Sequence, residues 1–211
     1  SGNLTSWIVQ LGFLNVFTMH MDISYSFFLL CLYFCLPRDS YGQSTASDME
    51  KGHLIFDFTE EGIDKQWMVV NDKVMGGRSE GGYSFDKKRL IFSGNTNTNG
   101  GGFSSIRTIP LDFYLEDKTG LHIRYKGDGR TYKLGVRMEG KSVSYRTNFS
   151  SGNGWQEARI PFAKFDVSWR GRPLSKEEHP LIKSKIRSIE FMIYDKQDGL
   201  FKLQVDWIRS Y

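Results

Sequence analysis

From His53 to the end of the chain, apolar and polar residues alternate in short runs with a period of two. In one such run, Leu121, Ile123 and Tyr125 are separated by polar side chains. This alternation is typical of a β-strand that has one face in the core and the other toward solvent. Strands are therefore predicted at 54–58, 66–70, 89–92, 103–109, 121–126, 132–138, 143–149, 155–160, 189–193 and 201–207.

The segments between these runs predict how the strands are arranged. The Gly-Asp-Gly sequence at 127–129 predicts a hairpin, because Gly and Asp tolerate positive φ, and the Asp-Gly pair at 198–199 predicts a second turn. Residues 175–185 are the best candidate for a helix, but Pro180 interrupts their pattern. About ten short strands at regular spacing predict an all-β fold, an antiparallel β-sandwich or jelly roll.

The first fifty residues have a different character. No Lys or Arg precedes Arg38, and residues 23–36 form a continuous apolar run. That run is shorter than the ~20 residues of a membrane-spanning helix and fits a secretory signal peptide cleaved after Gly42, with Met21 as an alternative start. An uncleaved membrane anchor and a buried segment are the alternatives. The predicted division is a leader with an upstream extension at 1–42, a flexible lead-in at 43–52 and a β-sandwich domain at 53–211.

The leader also predicts a location. A signal peptide predicts export to the periplasm or the extracellular space, and an uncleaved anchor predicts attachment to a membrane by the N-terminal segment. A mitochondrial transit peptide should be Arg-rich and amphipathic, which the leader is not. Export or anchoring is therefore expected in preference to a mitochondrial location, with no transmembrane segment left after cleavage.

Amino-acid composition excludes several kinds of site. The chain has 2 Cys, and both of them, Cys31 and Cys35, lie in the leader. Two cysteines cannot build a disulfide scaffold, a four-thiolate zinc site or an iron–sulfur cluster. The 4 His are scattered without metal-ligand spacing. We therefore expect neither a metal site nor a cofactor.

The net charge is mildly positive, +4 for the whole chain. No basic tract accompanies it, so nucleic acid is not an expected partner. One basic group would share an outward face across the predicted hairpin, although a solvated strand face is the simpler explanation. Its members are Arg124, Lys126, Lys133 and Arg137.

Evidence for catalysis is weak. The sequence has no His-Glu-x-x-His and no Cys-x-x-Cys, and the glycine-rich stretch at 97–102 lacks the Lys-Ser/Thr of a phosphate-binding loop. We expect a protein that is not an enzyme. A hydrolase built on two carboxylates stays open as an alternative, and its candidates are Asp57, Asp72, Asp128, Asp195, Asp198 and Asp206.

Two glycine-rich segments, 67–82 and 94–107, resist an interpretation as ordinary strands. Eight of the 22 glycines lie between Gly76 and Gly102. Glycine at this density lets a backbone approach a ligand or another backbone closely. The segments therefore predict recognition loops at one end of the sandwich, and an irregular strand crossing with bulges is the alternative.

Several ordered motifs carry a family resemblance. They are Asn71-Asp72-x-Val74-Met75-Gly76-Gly77-x-Ser79, Asn99-Gly-Gly-Gly102-Phe103-Ser-Ser-Ile-Arg107, Lys126-Gly127-Asp128-Gly129-Arg130-x-Tyr132-Lys133, Trp155-Gln156-Glu157-x-x-Ile160-Pro161-Phe162, Arg170-Gly171-Arg172-Pro173-Leu174 and Asp195-Lys196-Gln197-Asp198-Gly199-x-Phe201-x-Leu203. Together they resemble the complex I intermediate-associated protein family, the thirty-kilodalton assembly factor of NADH:ubiquinone oxidoreductase. Glu190 is a departure, since that family commonly has Gly at this place.

The resemblance implies a galactose-binding-domain-like jelly roll and a non-enzymatic role. It implies a chaperone-like or scaffold module that binds a protein partner, an assembly intermediate. The candidate binding residues are Trp67, Asn71, Asp72, Met75, Gly76, Gly77, Ser79, Asn99, Gly101, Gly102, Phe103, Arg107, Asp128, Arg170 and Arg172. Arg107 is expected to form an ion pair with Asp72, with an acidic group of a partner as the alternative.

An exported carbohydrate-binding module is the alternative function. Sugar sites use aromatic platforms with nearby hydrogen-bonding side chains. Trp155, Trp169 and Tyr145 are the candidate platforms, although tryptophan is more often a core residue.

Overall fold

The computed structural model describes residues 52–211, and these residues fold into two antiparallel sheets that pack face to face. The strands in chain order are β1 (His53–Phe56), β2 (Trp67–Asn71), β3 (Glu80–Asp86), β4 (Arg89–Thr96), β5 (Ser104–Thr108), β6 (Gly120–Lys126), β7 (Thr131–Met138), β8 (Ser144–Ser150), β9 (Gln156–Pro161), β10 (Asp166–Trp169), β11 (Arg172–Pro173), β12 (Ile186–Ile193) and β13 (Gly199–Ser210). Short 3-10 helices occupy Ile63–Gln66, Asp72–Met75, Phe162–Lys164 and Lys183–Lys185.

The two sheets differ in size. One has six strands in the order β3-β4-β13-β6-β9, with β1 also paired to β13. The other has seven strands in the order β11-β10-β8-β7-β12-β5-β2. Every pairing between described strands is antiparallel. The predicted antiparallel β-sandwich is confirmed.

The core lies between the sheets and follows the period-two pattern. On β12, Ile189, Phe191 and Ile193 are fully buried, and so are Leu203 and Val205 on β13. Burial of a side chain of this size contributes about 1.5–3 kcal/mol relative to exposure. Because the inward positions are apolar on strands of both sheets, the sandwich is held mainly by contacts across this layer.

The hairpin predicted at 127–129 is wrong. β6 pairs with β13 and β9 in the six-stranded sheet, whereas β7 pairs with β12 and β8 in the other sheet. The turn therefore carries the chain from one sheet to the other. The Asp-Gly turn at 198–199 makes the reverse crossing, from β12 to β13. A glycine-rich turn allows the chain to reverse direction, but it does not determine whether the two flanking strands pair with each other.

The basic face that this hairpin would have created does not exist. Arg124 and Lys126 lie on β6 of the six-stranded sheet, while Lys133 and Arg137 lie on β7 of the seven-stranded sheet. Their outward sides are on opposite faces of the sandwich. The grouping proposed for nucleic acid is therefore divided by the fold.

Two other local expectations also change. Residues 175–185 form no α-helix, and the segment ends in a short 3-10 turn, Lys183–Lys185.

Glu80–Asp86, in contrast, is a regular strand although it follows a glycine-rich stretch, because it pairs along its length with β4. Gly94 of β4 faces Gly81 of β3, and a Cβ on Gly94 would overlap the β3 backbone. The glycines here permit close strand packing.

The predicted leader, its cleavage site and both cysteines lie outside the described residues. Within 52–211, the strands run from His53 to Ser210. In this part of the chain no helix is long and apolar enough to cross a membrane. Nor do three or more His, Cys, Asp or Glu side chains converge here in a way that could hold a metal ion.

Candidate functional site

Asp72 is a fully buried carboxylate at the point where the two glycine-rich segments cross. Its Oδ1 accepts the backbone N–H of Ser79 at 2.9 Å, and its Oδ2 accepts the Ser79 hydroxyl at 2.6 Å. The same Oδ2 accepts the backbone N–H groups of Gly102 at 2.7 Å and Phe103 at 3.2 Å. The Asp72 carboxylate thus links its own glycine-rich segment to residues 102 and 103 of the second one. We call Asp72, Ser79 and the 101–103 backbone the loop crossing.

The hydrogen bonds at the loop crossing affect the ionisation of Asp72. Burial alone raises the pKa of a carboxyl group, but the donors from Ser79, Gly102 and Phe103 together outweigh it and lower the pKa of Asp72 below its ordinary value of 3.8. The group is therefore a carboxylate at neutral pH. A buried anion with four donors stabilises a fixed loop conformation.

Two glycines give this carboxylate its space. A Cβ on Gly77 would overlap the Asp72 carboxylate, and a Cβ on Gly101 would overlap its Oδ2. The backbone can therefore pass against the acid only where no side chain is present. This explains a large part of the glycine-rich motif by packing inside the protein.

Gly77→Ala is expected to lower the free energy of unfolding by about 2 kcal/mol, because the added methyl group must displace Asp72 from its donors. The matched control is Gly82→Ala on β3, where a Cβ would meet nothing within 4 Å. That control should change the free energy by less than about 0.5 kcal/mol. Urea unfolding of the full chain, followed by tryptophan fluorescence, measures both. Equal losses in the two variants would contradict the packing explanation.

The expectation that the chain has no Gly-x-Ser-x-Gly motif is wrong, because residues 77–81 have this spacing of a hydrolase nucleophile. The structure gives Ser79 another role. Its side chain is buried, and its hydroxyl donates to Asp72 while accepting the backbone N–H of Asn97 at 3.0 Å. The segment runs into strand β3 and not into a helix. Ser79 is therefore a structural residue of the loop crossing.

The remaining candidates from the first motif have separate places. Asn71 donates from Nδ2 to the Gly81 carbonyl at 3.0 Å and accepts the Ser104 hydroxyl at 2.6 Å, which links three strands. Trp67 is buried in the core and stacks on Phe191. The exposed positions are Gly76, which ends a 3-10 turn with φ 84°, and Asn99. The side chain of Met75 lies outside the described part of the structure.

Asp128 lies in a second internal network, which includes Arg130, whose side chain is 11% exposed. Asp128 accepts the Tyr132 hydroxyl at 3.0 Å and the Lys202 backbone N–H at 2.7 Å. Arg130 forms a two-pronged ion pair with Asp195, from Nε to Oδ2 at 2.9 Å and from Nη2 to Oδ1 at 2.6 Å. This network joins the 127–129 turn to the 195–199 turn, so both sheet crossings are held together.

A groove of about 750 Å³ lies on the outer face of the seven-stranded sheet. Its lining brings together five cations, two carboxylates and a set of apolar side chains. The charged members are Arg107, Lys133, Arg137, Arg146, Arg170, Asp166 and Glu190, and the larger apolar members are Val70, Phe103, Val167, Trp169, Met192 and Tyr194. Gly100 and Gly101 also line it. The loop crossing therefore forms part of the groove wall.

Arg107 lies in this groove, and the ion pair expected between Arg107 and Asp72 is wrong. Asp72 points into the loop crossing, where its oxygens are taken by Ser79 and the 102–103 backbone. Arg107 lies on the groove side of β5, directly opposite Glu190 on β12. Asp72 is thus enclosed inside the loop crossing, whereas Arg107 lines the groove.

The other predicted residues are only partly brought together. Phe103, Gly101 and Arg170 line the groove with Arg107, and the exposed Arg172 lies in β11 beside it. Several charged groove residues were not among the binding candidates, namely Lys133, Arg137, Arg146 and Glu190. Basic residues at alternate positions on strands were the signal that could have found the first three. Binding by any of these residues stays a prediction.

The three aromatic platforms predicted for a sugar separate in the structure. Tyr145 is buried in the core, and only its hydroxyl reaches backbone carbonyls of His179 and Pro180. Trp155 lies by the six-stranded sheet, between Arg89 and Arg124. Trp169 alone of the three lines the groove, with 40% of its surface exposed.

The six carboxylates considered for hydrolysis lie outside the groove lining, and each has a partner within the protein. Asp206 accepts from Arg89 and Arg124, and Asp57 accepts from Thr59. Asp198 accepts the backbone N–H of Thr98. The partners of Asp72, Asp128 and Asp195 are those described above. In the described part of the chain, these residues therefore serve structural contacts.

Comparison with known proteins gives a family match over most of the domain. The family model described as Complex I intermediate-associated protein 30 matches residues 56–205. Among curated proteins, the mitochondrial Complex I intermediate-associated protein 30 of Mus musculus is 31% identical over 186 residues, covering 76% of this chain and 56% of that protein. The Drosophila melanogaster protein of the same name is 26% identical over 182 residues, covering 74% and 61%. The chain thus spans only about half the length of these relatives.

Solved structures show the same fold at low identity. A family 11 carbohydrate-binding module from Clostridium thermocellum aligns with a TM-score of 0.55 at 17% identity, covering 75% of this chain and 94% of the module. A crystal structure of an agarase aligns with a TM-score of 0.52 at 11% identity, covering 75% of this chain and 24% of the enzyme. These likenesses establish the galactose-binding-like jelly roll and carry no ligand with them.

The expected location is corrected by the same comparison. The relatives from mouse, Drosophila melanogaster and Caenorhabditis briggsae are all named mitochondrial. They contradict the expectation of an exported or membrane-anchored chain. The expectation depended on leader residues alone, whereas these matches extend over 60% or more of the chain.

Proposed function

Because this chain belongs to the complex I intermediate-associated protein 30 family, we propose that it is a mitochondrial assembly factor for NADH:ubiquinone oxidoreductase. It acts by binding a protein intermediate and catalyses no reaction. The family match at 56–205 includes the loop crossing, both sheets and the groove. The names of the relatives support the assembly role.

The observation that carries a binding role is the composition of the groove. Arginines and aromatic side chains are the residues most enriched in the energetic centres of protein interfaces. Here Arg107, Arg137 and Arg146 line the same groove as the half-exposed aromatic residues Trp169 and Tyr194. The outer face of a sandwich sheet presents such residues on a rigid support, which suits the recognition of a partner surface.

We expect the double variant Trp169→Ala and Tyr194→Ala to lose its partner. Truncating an aromatic anchor at the centre of an interface costs about 2 kcal/mol, or about 30-fold in affinity. The full-length tagged chain would be expressed in cells of its source organism that lack the endogenous gene. Recovery of complex I on native gels and co-purification of its subunits are measured. Wild-type chain should restore both, and the double variant should restore neither.

The matched control is the double variant Tyr114→Ala and Leu200→Ala. These side chains are 73% and 81% exposed and lie outside the groove lining. The control should restore complex I as wild type does, and thermal melts should show all variants folded. Normal complex I in cells without the gene would refute the assembly role. Full rescue by the groove variant would refute only the groove as the binding surface.

Carbohydrate binding is the second candidate, because Trp169 remains an exposed aromatic surface along a groove. Aromatic faces stack on sugar rings while neighbouring polar groups fix their hydroxyls. Calorimetry with neutral oligosaccharides tests this candidate. Binding that is lost in Trp169→Ala would favour it over a protein partner.

A further inference from the structure

Four residues form a straight row across the groove floor. Antiparallel pairing places Arg107 of β5 opposite Glu190 of β12, Glu190 opposite Gly135 of β7, and Gly135 opposite Arg146 of β8. Directly opposed residues point to the same face of a sheet. The row therefore presents Arg107, Glu190 and Arg146 on one face across four neighbouring strands.

Gly135 lets the acid in this row reach the more distant arginine. Arg146 donates from Nε to Glu190 Oε2 at 2.8 Å and from Nη2 to Oε1 at 3.1 Å. A Cβ at Gly135 would stand 3.0 Å from Glu190 Oε2 and 3.1 Å from Arg146 Cγ, inside the space that the ion pair uses. Glu190 is 2% exposed, and both of its oxygens are engaged by one arginine. This pair is internally neutral.

The other cations of the floor are not neutralised in this way. Arg137 donates to the Ser144 hydroxyl at 2.9 Å and the Ser142 carbonyl at 3.3 Å, and Lys133 donates to Asn148 Oδ1 at 2.6 Å. These acceptors carry no charge. Within residues 52–211, Arg107 has no ion pair at 4 Å or less.

The remaining carboxylate of the lining, Asp166, compensates them only in part. Asp166 is 82% exposed and pairs with Lys176 at 2.9 Å. Burial, assisted by the charge of Arg146 and opposed by that of Asp166, lowers the pKa of Lys133. Burial also lowers the pKa of Arg137, with Arg107 and Arg146 acting in the same direction and Glu190 opposing them. The cations of the floor thus repel one another, and a bound anion would reduce this repulsion.

Apolar groups flank this charge. Phe103 and Tyr194 meet edge to face with ring centroids 6.3 Å apart, and Trp169 lies beside β11 on the other margin. The groove volume of about 750 Å³ exceeds by far what a single small anion fills. A ligand that matches this lining carries acidic groups between apolar ones, as a polypeptide segment with Asp or Glu among apolar residues does.

We propose that the groove binds an acidic, partly apolar polypeptide segment of the assembly partner, whose carboxylates are received by Arg107 and Arg137. The inference rests on the proposed function and names the chemistry of its partner. Arg146 and Glu190 act as a fixed pair that holds the floor in shape. Arg107 supplies a guanidinium fork, which suits two-pronged recognition of a carboxylate.

The test compares two labelled peptides that differ only in charge, one with glutamates spaced among leucines and one with glutamines in their place. Binding of each to the full chain is measured by fluorescence anisotropy. The glutamate peptide should bind at least about tenfold more tightly, since charge-assisted hydrogen bonds are the strong ones. The difference should shrink as ionic strength rises from about 0.1 M to about 1 M, where the screening length falls from about 10 Å to about 3 Å.

Variants locate the effect. Arg107→Gln should weaken binding of the glutamate peptide about tenfold, and adding Arg137→Gln should weaken it further. Arg107→Gln removes no ion pair within residues 52–211, and a thermal melt checks that the variant is folded. The control Lys126→Gln with Lys202→Gln removes two charges from the opposite sheet and should change binding less than about twofold.

Several outcomes would overturn the inference. Equal binding of the two peptides, or unchanged binding by Arg107→Gln, contradicts it. Tight binding of a single-stranded oligonucleotide or of inorganic phosphate with no binding of the glutamate peptide assigns the groove to another anion. If Arg107→Gln with Arg137→Gln still restores complex I, the acidic segment is refuted while the assembly role stands. If wild-type chain fails to restore complex I, the assembly role fails, whatever the peptides show.

Discussion

Asp72→Ala is expected to lower the free energy of unfolding by about 3–5 kcal/mol. This is a large part of the total free energy of unfolding of a typical domain, which is about 5–15 kcal/mol. The substitution leaves the buried backbone N–H groups of Ser79, Gly102 and Phe103 without their acceptor. It also leaves the Ser79 hydroxyl without its shortest hydrogen bond. Urea unfolding of the full chain, with tryptophan fluorescence as the signal, measures the loss.

The control for Asp72→Ala is Asp57→Ala. Asp57 was an equal candidate in the sequence, but it accepts only from Thr59, two residues away and in exposed hydrogen bonds. Its removal should cost less than about 1 kcal/mol. A loss of similar size in both variants would show that the loop crossing is not a special source of stability.

The dependence on pH gives an independent measure of the same contact. The folded pKa of Asp72 lies below its ordinary value, so the charged form is favoured by folding. Its contribution is fully present above the unfolded pKa of about 3.9 and is lost as the pH falls through the lower folded pKa. The stability difference between wild type and Asp72→Asn should therefore be constant near neutral pH and shrink below about pH 4. A difference that grows on acidification would contradict this.

Arg130→Met is the second substitution with a large expected effect, again about 3–5 kcal/mol. The side chains of Arg130 and Asp195 are 11% and 4% exposed, so the change leaves a nearly buried carboxylate without its partner. Three backbone carbonyls of the 197–200 turn also lose the Arg130 donor, at distances of 2.8–3.2 Å. Both crossings between the sheets should loosen. Urea midpoints of the full chain give the magnitude.

Two further variants separate charge from packing at this site. Arg130→Met combined with Asp195→Asn removes the stranded charge and should recover at least about 1 kcal/mol relative to Arg130→Met alone. Arg89→Met is the matched control, because its ion pair with Asp206 is longer, at 3.3 Å, and more exposed. The deficit of Arg130→Met should also shrink at low pH, since burial without a cation raises the pKa of Asp195 and protonation then favours folding. No recovery in the double variant would contradict a charge-based explanation.

The strands themselves were predictable from the chain. Period-two alternation located the central strands β6, β7, β12 and β13, because inward positions need apolar side chains whatever the partner strand is. The glycine-rich segments were recognised as unusual, and the family motifs within them were identified. The short strands β10 and β11 were not predicted, since four residues or fewer give no measurable alternation. Strand β3 was not predicted either, because Gly81 and Gly82 leave its first half without an apolar alternation.

The roles of the motif residues were not predictable in the same way. Asn71, Asp72 and Ser79 were proposed as binding residues. In the structure, however, their side chains form hydrogen bonds with neighbouring strands and loops of the protein itself. Sequence spacing does not distinguish a buried hydrogen-bonded carboxylate from an exposed one. Asp72 is buried and hydrogen-bonded because the tertiary fold brings the backbone of residues 102 and 103, about thirty positions later in the chain, against its carboxylate.

By itself, the sequence determined where most of the strands lie, which of their faces is apolar, and the family to which the chain belongs. Only the tertiary structure decided which sheet each strand joins, and hence that Lys133 and Arg137 share a groove with Arg107 and not a face with Arg124. The physical reason is that alternation is a local property of a strand. Pairing and register depend on the packing of the whole core.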